Sequence, residues 1–198
     1  MKNNQKGFAL PLSLLLLVVM TLMGATLVSM TASDIRANDD KDKGQQAFYA
    51  AESGISHAKK LLASQTNLSR GSANPYSKLK YCKPNLFPNL RDPAVKTIIG
   101  SSGEMLQIKN LSEVISTSGD EQTRLSNFSF EYFITYTPDH NGYTDNPKKK
   151  PGTNKNYYTI HSCGCDGSKT KCRSQNNKIV ALEAVVTLAT QWEKLFFL

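Results

Sequence analysis

The chain is predicted to be an α+β protein, with one long N-terminal helix over about residues 8–62 packed on an antiparallel sheet of about four strands. Three observations lead there. The run from Phe8 to Met30, FALPLSLLLLVVMTLMGATLVSM, contains no charged residue. No proline then occurs from Thr31 through Leu62, where Ala47, Ala51, Ile55, Ala58 and Leu62 recur at helical spacing. After Leu62 only strand-like runs follow. A helix followed by strands alone buries its apolar stripe against a sheet wrapped on it.

The apolar run comes first. At about 1.5 Å per residue it is long enough to cross a hydrocarbon core of roughly 30 Å. Lys2 and Lys6 precede it, whereas Asp34, Asp39, Asp40 and Asp42 follow it, mixed with Arg36, Lys41 and Lys43. Positive charge before a first span predicts a cytoplasmic N-terminus and an exported body. The remainder is polar enough to bring the mean hydropathy of the whole chain to −0.39. Pro11 falls in the first helical turn, where its missing N–H is harmless. Thr21, Gly24 and Thr26 lower helix propensity mid-span, which suits either local melting or close packing. A secretory signal also begins basic then apolar, with Thr31-Ala32-Ser33 as its cleavage site, but its apolar region is usually only about 7–15 residues. A plain single-pass anchor is the third reading.

Beyond the span, Gln45, Gln46, Glu52, Ser53, Lys59 and Lys60 occupy the helix faces away from the alanine stripe. One continuous helix of about 55 residues, roughly 80 Å long, is expected. Residues 64–93, with Pro75, Pro84, Pro88 and Pro93, read as a long ordered loop. Strands are expected at Met105–Lys109, Phe128–Tyr136, Tyr157–Ser162 and Ile179–Leu188. In the second, Phe128, Phe130, Tyr132, Ile134 and Tyr136 alternate with Ser129, Glu131, Phe133 and Thr135. In the last, Val180, Leu182, Ala184, Val186 and Leu188 form an apolar set that is expected to face the helix. Asp139–Lys155 reads as an exposed polar hairpin or loop. The tail Trp192–Leu198 is apolar, for packing on its own sheet or for docking on a neighbour.

Four cysteines, Cys82, Cys163, Cys165 and Cys172, lie on the exported side, where disulfides form. Their spacing is not the paired one typical of zinc. Direct Cys163–Cys165 pairing would be strained. One of these two is expected to join Cys82, stapling the long loop to the third strand, and the other to join Cys172. Asp139, Asn141 and Asp145 have calcium-like spacing, but the glycine is misplaced for an EF-hand loop and an Asn/Asp turn accounts for them. The net charge is +8. Lys148, Lys149, Lys150 and Lys155 cluster in one loop, and Lys169, Lys171 and Arg173 in another, with Tyr157 and Tyr158 between. They are polyanion candidates for DNA or a cell surface, or solvated loops that keep the head soluble. His57, His140 and His161 are scattered, and the sequence has no nucleophile elbow, P-loop or dinucleotide glycine motif. No enzymatic activity or cofactor is expected.

The leader MKNNQKGF and the helix resemble those of type IV prepilins. The residues Gly7-Phe8-Ala9-Leu10, the stretch Met20–Gly24 and the words Gln46-Ala47-Phe48-Tyr49-Ala50-Ala51-Glu52-Ser53-Gly54 resemble the PilX-type minor pilins. The resemblance covers about the first third of the chain. It implies a type IV pilin-like fold: residues 1–7 a cleaved leader, 8–30 the transmembrane half, 31–62 the amphipathic half and 63–198 a β-rich head. It also implies cleavage between Gly7 and Phe8 by prepilin peptidase and N-methylation of Phe8. The family motif falls on Ala47, Phe48, Ala50, Ala51 and Glu52. Most members carry a glutamate at the fifth mature position, which here is Leu12. A carboxylate buried unpaired in an apolar filament core costs several kcal/mol. A subunit without it fits a tip or priming position better than the repeating shaft. The implied partners are other minor and major pilins through the helix, the inner-membrane assembly platform and a tip adhesin. The implied route is inner membrane with periplasmic head, then extracellular pilus. The alternatives are a type II secretion pseudopilin of the GspK type, which also lacks the glutamate, and an exported DNA- or glycan-binding domain with a conventional signal or anchor.

Overall fold

The computed structural model describes residues 9–65, 67–71, 75–83, 86–87, 90, 96–137, 148–153, 155–172 and 177–188. Helix α1 runs from Ala9 to Ser64. The chain divides into two compact units, Met1–Asp42 and Lys43–Leu198. In the first, every described side chain from Leu10 to Asp42 is exposed. Its apolar stretch is by length and composition able to cross a membrane. The hydroxyls within it are turned inward on the helix. Ser13 donates to the Leu10 carbonyl at 2.9 Å, Thr21 to Val18 at 2.8 Å and Thr26 to Met23 at 2.8 Å. Hydroxyls satisfied in this way can enter an apolar medium at little cost.

In the second unit the last part of α1 is followed by β1 (Ser69–Arg70), β2 (Ile98–Gly100), β3 (Gly103–Glu104), β4 (Leu106–Asn110), the short helix α2 (Asp120–Leu125), β5 (Ser129–Tyr136), β6 (Tyr157–Cys165) and β7 (Ile179–Thr187). The strands β4-β5-β6-β7 form the expected antiparallel four-stranded sheet in that order. The fold is α+β, a long helix with antiparallel sheets. The three-stranded sheet β1-β2-β3 and helix α2 lie outside the expectation. They are corrections to the reading of residues 64–93 as loop and of the head as a single sheet. Strands of two or three residues carry no periodicity to read.

Both faces of the large sheet are covered. On one, Ala50, Ala58 and Leu62 of α1 pack with Phe130, Tyr132 and Ile134 of β5 and Tyr158 and Ile160 of β6, joined by Val186 and Leu188. The alternation read in β5 and the apolar set read in β7 both land on this face. The opposite face is covered by the segment after Pro75: Tyr81, Cys82, Phe87 and Leu90 pack with Phe133, Cys163, Cys165 and Cys172. Hence the polar set of β5 is buried as well.

The helix lies close on β6 because both surfaces are small. Ala47, Ala50 and Ala51 are fully buried. A Cβ added at Gly164 would collide with the Ala47 carbonyl oxygen and the Ala51 nitrogen, so the two backbones are in contact there. Gly54 instead faces side chains, the Ser162 hydroxyl and the Phe130 ring, and the Ser162 hydroxyl donates to the Ala51 carbonyl at 2.8 Å. The amphipathic half was expected from residue 31. Burial starts only near Ala47, because the seven charged residues from Asp34 to Lys43 leave no apolar stripe to bury.

Candidate functional site

The helix motif divides between two environments. Ala47, Ala50 and Ala51 form the contact with β6, while Phe48, Tyr49 and Glu52 are exposed. The phenyl ring of Phe48 and the ring of Tyr49 meet edge-to-face at 6.0 Å. Beside them, between α1 and the segment following β4, lies an open cleft of about 580 Å³ lined by Tyr49, Glu52, Ser56, His57, Lys60, Glu113, Val114 and Ile115. Phe48, Tyr49, Val114 and Ile115 are all exposed apolar side chains. Surface of this kind suits contact with another macromolecule.

The cleft holds one imidazole. His57 Nδ1 lies 3.0 Å from the Tyr132 hydroxyl, and Lys109 Nζ lies 3.5 Å from Nε2. Burial pushes the His57 pKa below its ordinary value, and Lys109 and Lys60 push it further. A neutral ring with the proton on Nδ1 satisfies both neighbours. Glu113 receives the Lys169 ammonium at 2.7 Å and the Asn110 amide at 3.3 Å, and the lysine bond holds its carboxyl below the usual range. His57 and Glu113 are thus each held by partners within the protein.

A second polar constellation lies under the covering segment. Thr135 Oγ1 is 3.1 Å from His161 Nε2, and Glu183 Oε1 is 3.2 Å from Nδ1. The order hydroxyl, imidazole, carboxylate resembles a nucleophile relay. Yet Thr135 and His161 are 1% and 2% exposed, with Phe133 stacked on the imidazole at 4.8 Å and Phe87 edge-on at 5.0 Å. The Nδ1 contact also lacks hydrogen-bond alignment. Burial lowers the His161 pKa, against the pull of Glu183. This cluster is part of the core, because no substrate atom can approach the hydroxyl.

The cysteines pair as Cys82–Cys163 and Cys165–Cys172. This resolves the two alternatives left by the sequence and consumes all four thiols, which excludes them as metal ligands. Glu131, which the sequence did not single out, is fully buried on β5. Its carboxylate accepts the amides of Lys80, Tyr81 and Cys82 at 2.8, 2.9 and 2.8 Å. The signal in the sequence is an acid within the aromatic strand.

The two basic loops do not converge. Lys148–Lys150 and Lys155 sit where β5 ends and β6 begins, joined by Thr137 and Tyr157. Lys169 and Lys171 follow β6 at its far end, and Lys169 is paired with Glu113. Between them stretches the nine-residue β6, roughly 25–30 Å. Tyr157 is half-buried beside the first loop and Tyr158 is buried in the core. Leu12 is exposed on α1. Gly7, Phe8, Arg173, the calcium candidates Asp139, Asn141 and Asp145, and the tail 192–198 lie outside the described residues. Among the described residues, no group of His, Cys, Asp and Glu side chains is arranged to hold a metal ion. No family model, curated protein or solved structure matches the chain.

Proposed function

We propose that this chain is a minor pilin of a type IV pilus, working by assembly and contact and helping to prime filament formation, with an adhesive head as its further role. The observation that carries the reading is that a single helix, Ala9–Ser64, supplies both an exposed apolar stretch and the alanine face that packs on β6. A conventional anchor needs no such continuity. The motif residues support it further, since Ala47, Ala50 and Ala51 hold the head while Phe48, Tyr49 and Glu52 remain free to meet neighbouring helices. Leu12 in place of the family's glutamate favours a tip or priming position, where no preceding subunit presents an ammonium to neutralise.

The test is intact mass and N-terminal sequencing of the protein from membranes of cells with and without prepilin peptidase. The expected product begins at methylated Phe8 and depends on the peptidase. A product starting near Ser33, or an uncut Met1, overturns the reading in favour of an exported or anchored binding domain. Immunolabelling tests the position, because label spread along the shaft removes the tip assignment. A secretion pseudopilin shares the processing, and is distinguished by loss of protein secretion rather than of pili in a deletion strain.

A further inference from the structure

We propose that His57 is a proton-operated switch in the cleft beside α1. On taking up a proton, its ring expels the ammonium of Lys109 and leaves the cleft more cationic. The inference concerns the head alone, and stands whether or not the assembly reading does. It starts from what each ring nitrogen faces. Nδ1 lies 3.0 Å from the Tyr132 hydroxyl, and Nε2 lies 3.5 Å from Lys109 Nζ. An ammonium has only protons to give, so Nε2 meets it only as a bare acceptor. The neutral ring with its proton on Nδ1 fits both neighbours. The imidazolium carries a proton on each nitrogen, and at Nε2 it sets donor against donor and charge against charge. The Tyr132 contact survives the change. The ring therefore stays in place, and the lysine is the part that moves.

The position in the fold makes the proton accessible. His57 is half-buried on the wall of the open cleft of about 580 Å³. His161, by contrast, is 2% exposed and stacked on Phe133, and offers no such entry. Among the described residues, the charged groups round the ring are Lys60 and Glu52 of α1, Lys109 of β4 and Glu113 of the segment after β4. From β5 it meets the Phe130 ring and the Tyr132 hydroxyl, which burial keeps protonated far above neutral pH. Burial first, then Lys109, then Lys60 hold the imidazole below its ordinary 6.5. The ring is thus neutral at pH 7 and charges only in more acidic surroundings. The released Lys109 finds an acceptor in Glu113, whose carboxyl already feels its charge. A carboxylate has lone pairs for a second ammonium beside that of Lys169. In acid the cleft gains one positive charge beside the exposed Tyr49, Val114 and Ile115. That charge disfavours apolar or cationic surface there.

The experiment uses the full-length protein in zwitterionic micelles, with histidine Cε1 and lysine Cε labelled with carbon-13. The labels are followed by NMR from about pH 7.5 to 5, a window across the ordinary histidine value. His57→Gln and Lys109→Met assign the two resonances, and near-UV circular dichroism establishes that each variant is folded. His57 is expected to titrate with a midpoint below 6.5, and the Lys109 signal to move with the same midpoint. Lys109→Met is expected to shift the His57 midpoint up, and Lys60→Met to shift it up by less. In His57→Gln, whose amide takes up no proton, the Lys109 signal is expected to stay flat. A midpoint at or above 6.5, or one unmoved in Lys109→Met, overturns the proposal. So does a Lys109 signal that ignores the His57 titration, or unfolding of the wild type before His57 titrates.

Discussion

Glu131 and Cys163 face each other across β5 and β6, and both grip the same stretch of chain. The carboxylate of Glu131 accepts the amides of Lys80, Tyr81 and Cys82, and Cys163 is bonded to the sulfur of Cys82. A covalent and a hydrogen-bonded fastening thus meet at one rung of the sheet. Tyr81 completes the seal: its hydroxyl donates to Ser129 at 3.3 Å, Ser129 donates to the Gly167 carbonyl at 2.6 Å, and burial pushes the tyrosine pKa up.

Glu131→Ala is expected to leave three amides without an acceptor inside the core. A buried donor without a partner costs about 1–3 kcal/mol, so the loss is expected to be about 3–5 kcal/mol. Glu131→Gln, which retains one acceptor oxygen, is expected to lose less. Chemical denaturation followed by near-UV circular dichroism measures both. A loss under about 1 kcal/mol for the alanine variant contradicts the fastening role.

The two disulfides are expected to differ in worth. Cys82–Cys163 closes a separation of 81 residues and Cys165–Cys172 one of 7. On chain entropy the former contributes about 4–5 kcal/mol and the latter about 2–3 kcal/mol. Paired serine replacements, compared by denaturation midpoint, are expected to show the long crosslink costing more. Equal losses would place the effect in the native state instead.

Gly164→Ala is expected to force α1 off β6, because the new methyl group meets helix backbone that has no rotamer to yield. The expected cost is at least about 2 kcal/mol. Phe48→Ala and Tyr49→Ala change exposed side chains and are expected to alter head stability by less than about 0.5 kcal/mol. If the assembly reading holds, these two variants lower pilus number while Gly164→Ala lowers protein level. Immunoblots beside filament counts separate the two effects.

Acid is expected to loosen the head through His161. Burial holds its folded pKa below the ordinary 6.5, so the unfolded chain takes up a proton that the native state refuses. Stability therefore falls as the pH drops below about 6.5, and levels off below the folded pKa. Glu183, held low by His161, acts in the same direction nearer its ordinary 4.5. Thermal midpoints between pH 7.5 and 4.5 (a range spanning both ordinary values) are expected to fall more steeply for wild type than for His161→Phe. Parallel curves would exclude the imidazole as the cause.

Much of this was legible in the chain because it rested on period. The alternation Phe130, Tyr132, Ile134 against Ser129, Glu131, Phe133 divides between the two faces of the sheet, and Val186 and Leu188 lie on the helix side as expected. The cysteine alternatives narrowed to one pairing once Cys82 was seen against β6. What stayed hidden was tertiary. The burial of Glu131, Thr135 and His161 leaves no mark in the sequence, because nothing local shows that Tyr81, Cys82, Phe87 and Leu90 cover that face. The strand Ser69–Arg70 and helix Asp120–Leu125 are too short to carry a pattern. Asp120, Glu121 and Arg124 were the helix's charge signals, at its first and last turns. The sequence separates the lysines into two loops, but only the fold shows that Lys148–Lys150 and Lys169 lie at opposite ends of β6.

The backbone contact at Gly164 also has a mechanical meaning. Tension along α1 enters the head where Ala47 and Ala51 bear on β6, with no long side chain between to stretch or flip. From β6 that load passes by both crosslinks, through Cys163 to the covering segment and through Cys165 to the following loop. The strand thus serves as the keel of the head: a pull on the helix is shared at once between a hydrogen-bonded sheet and two covalent stays.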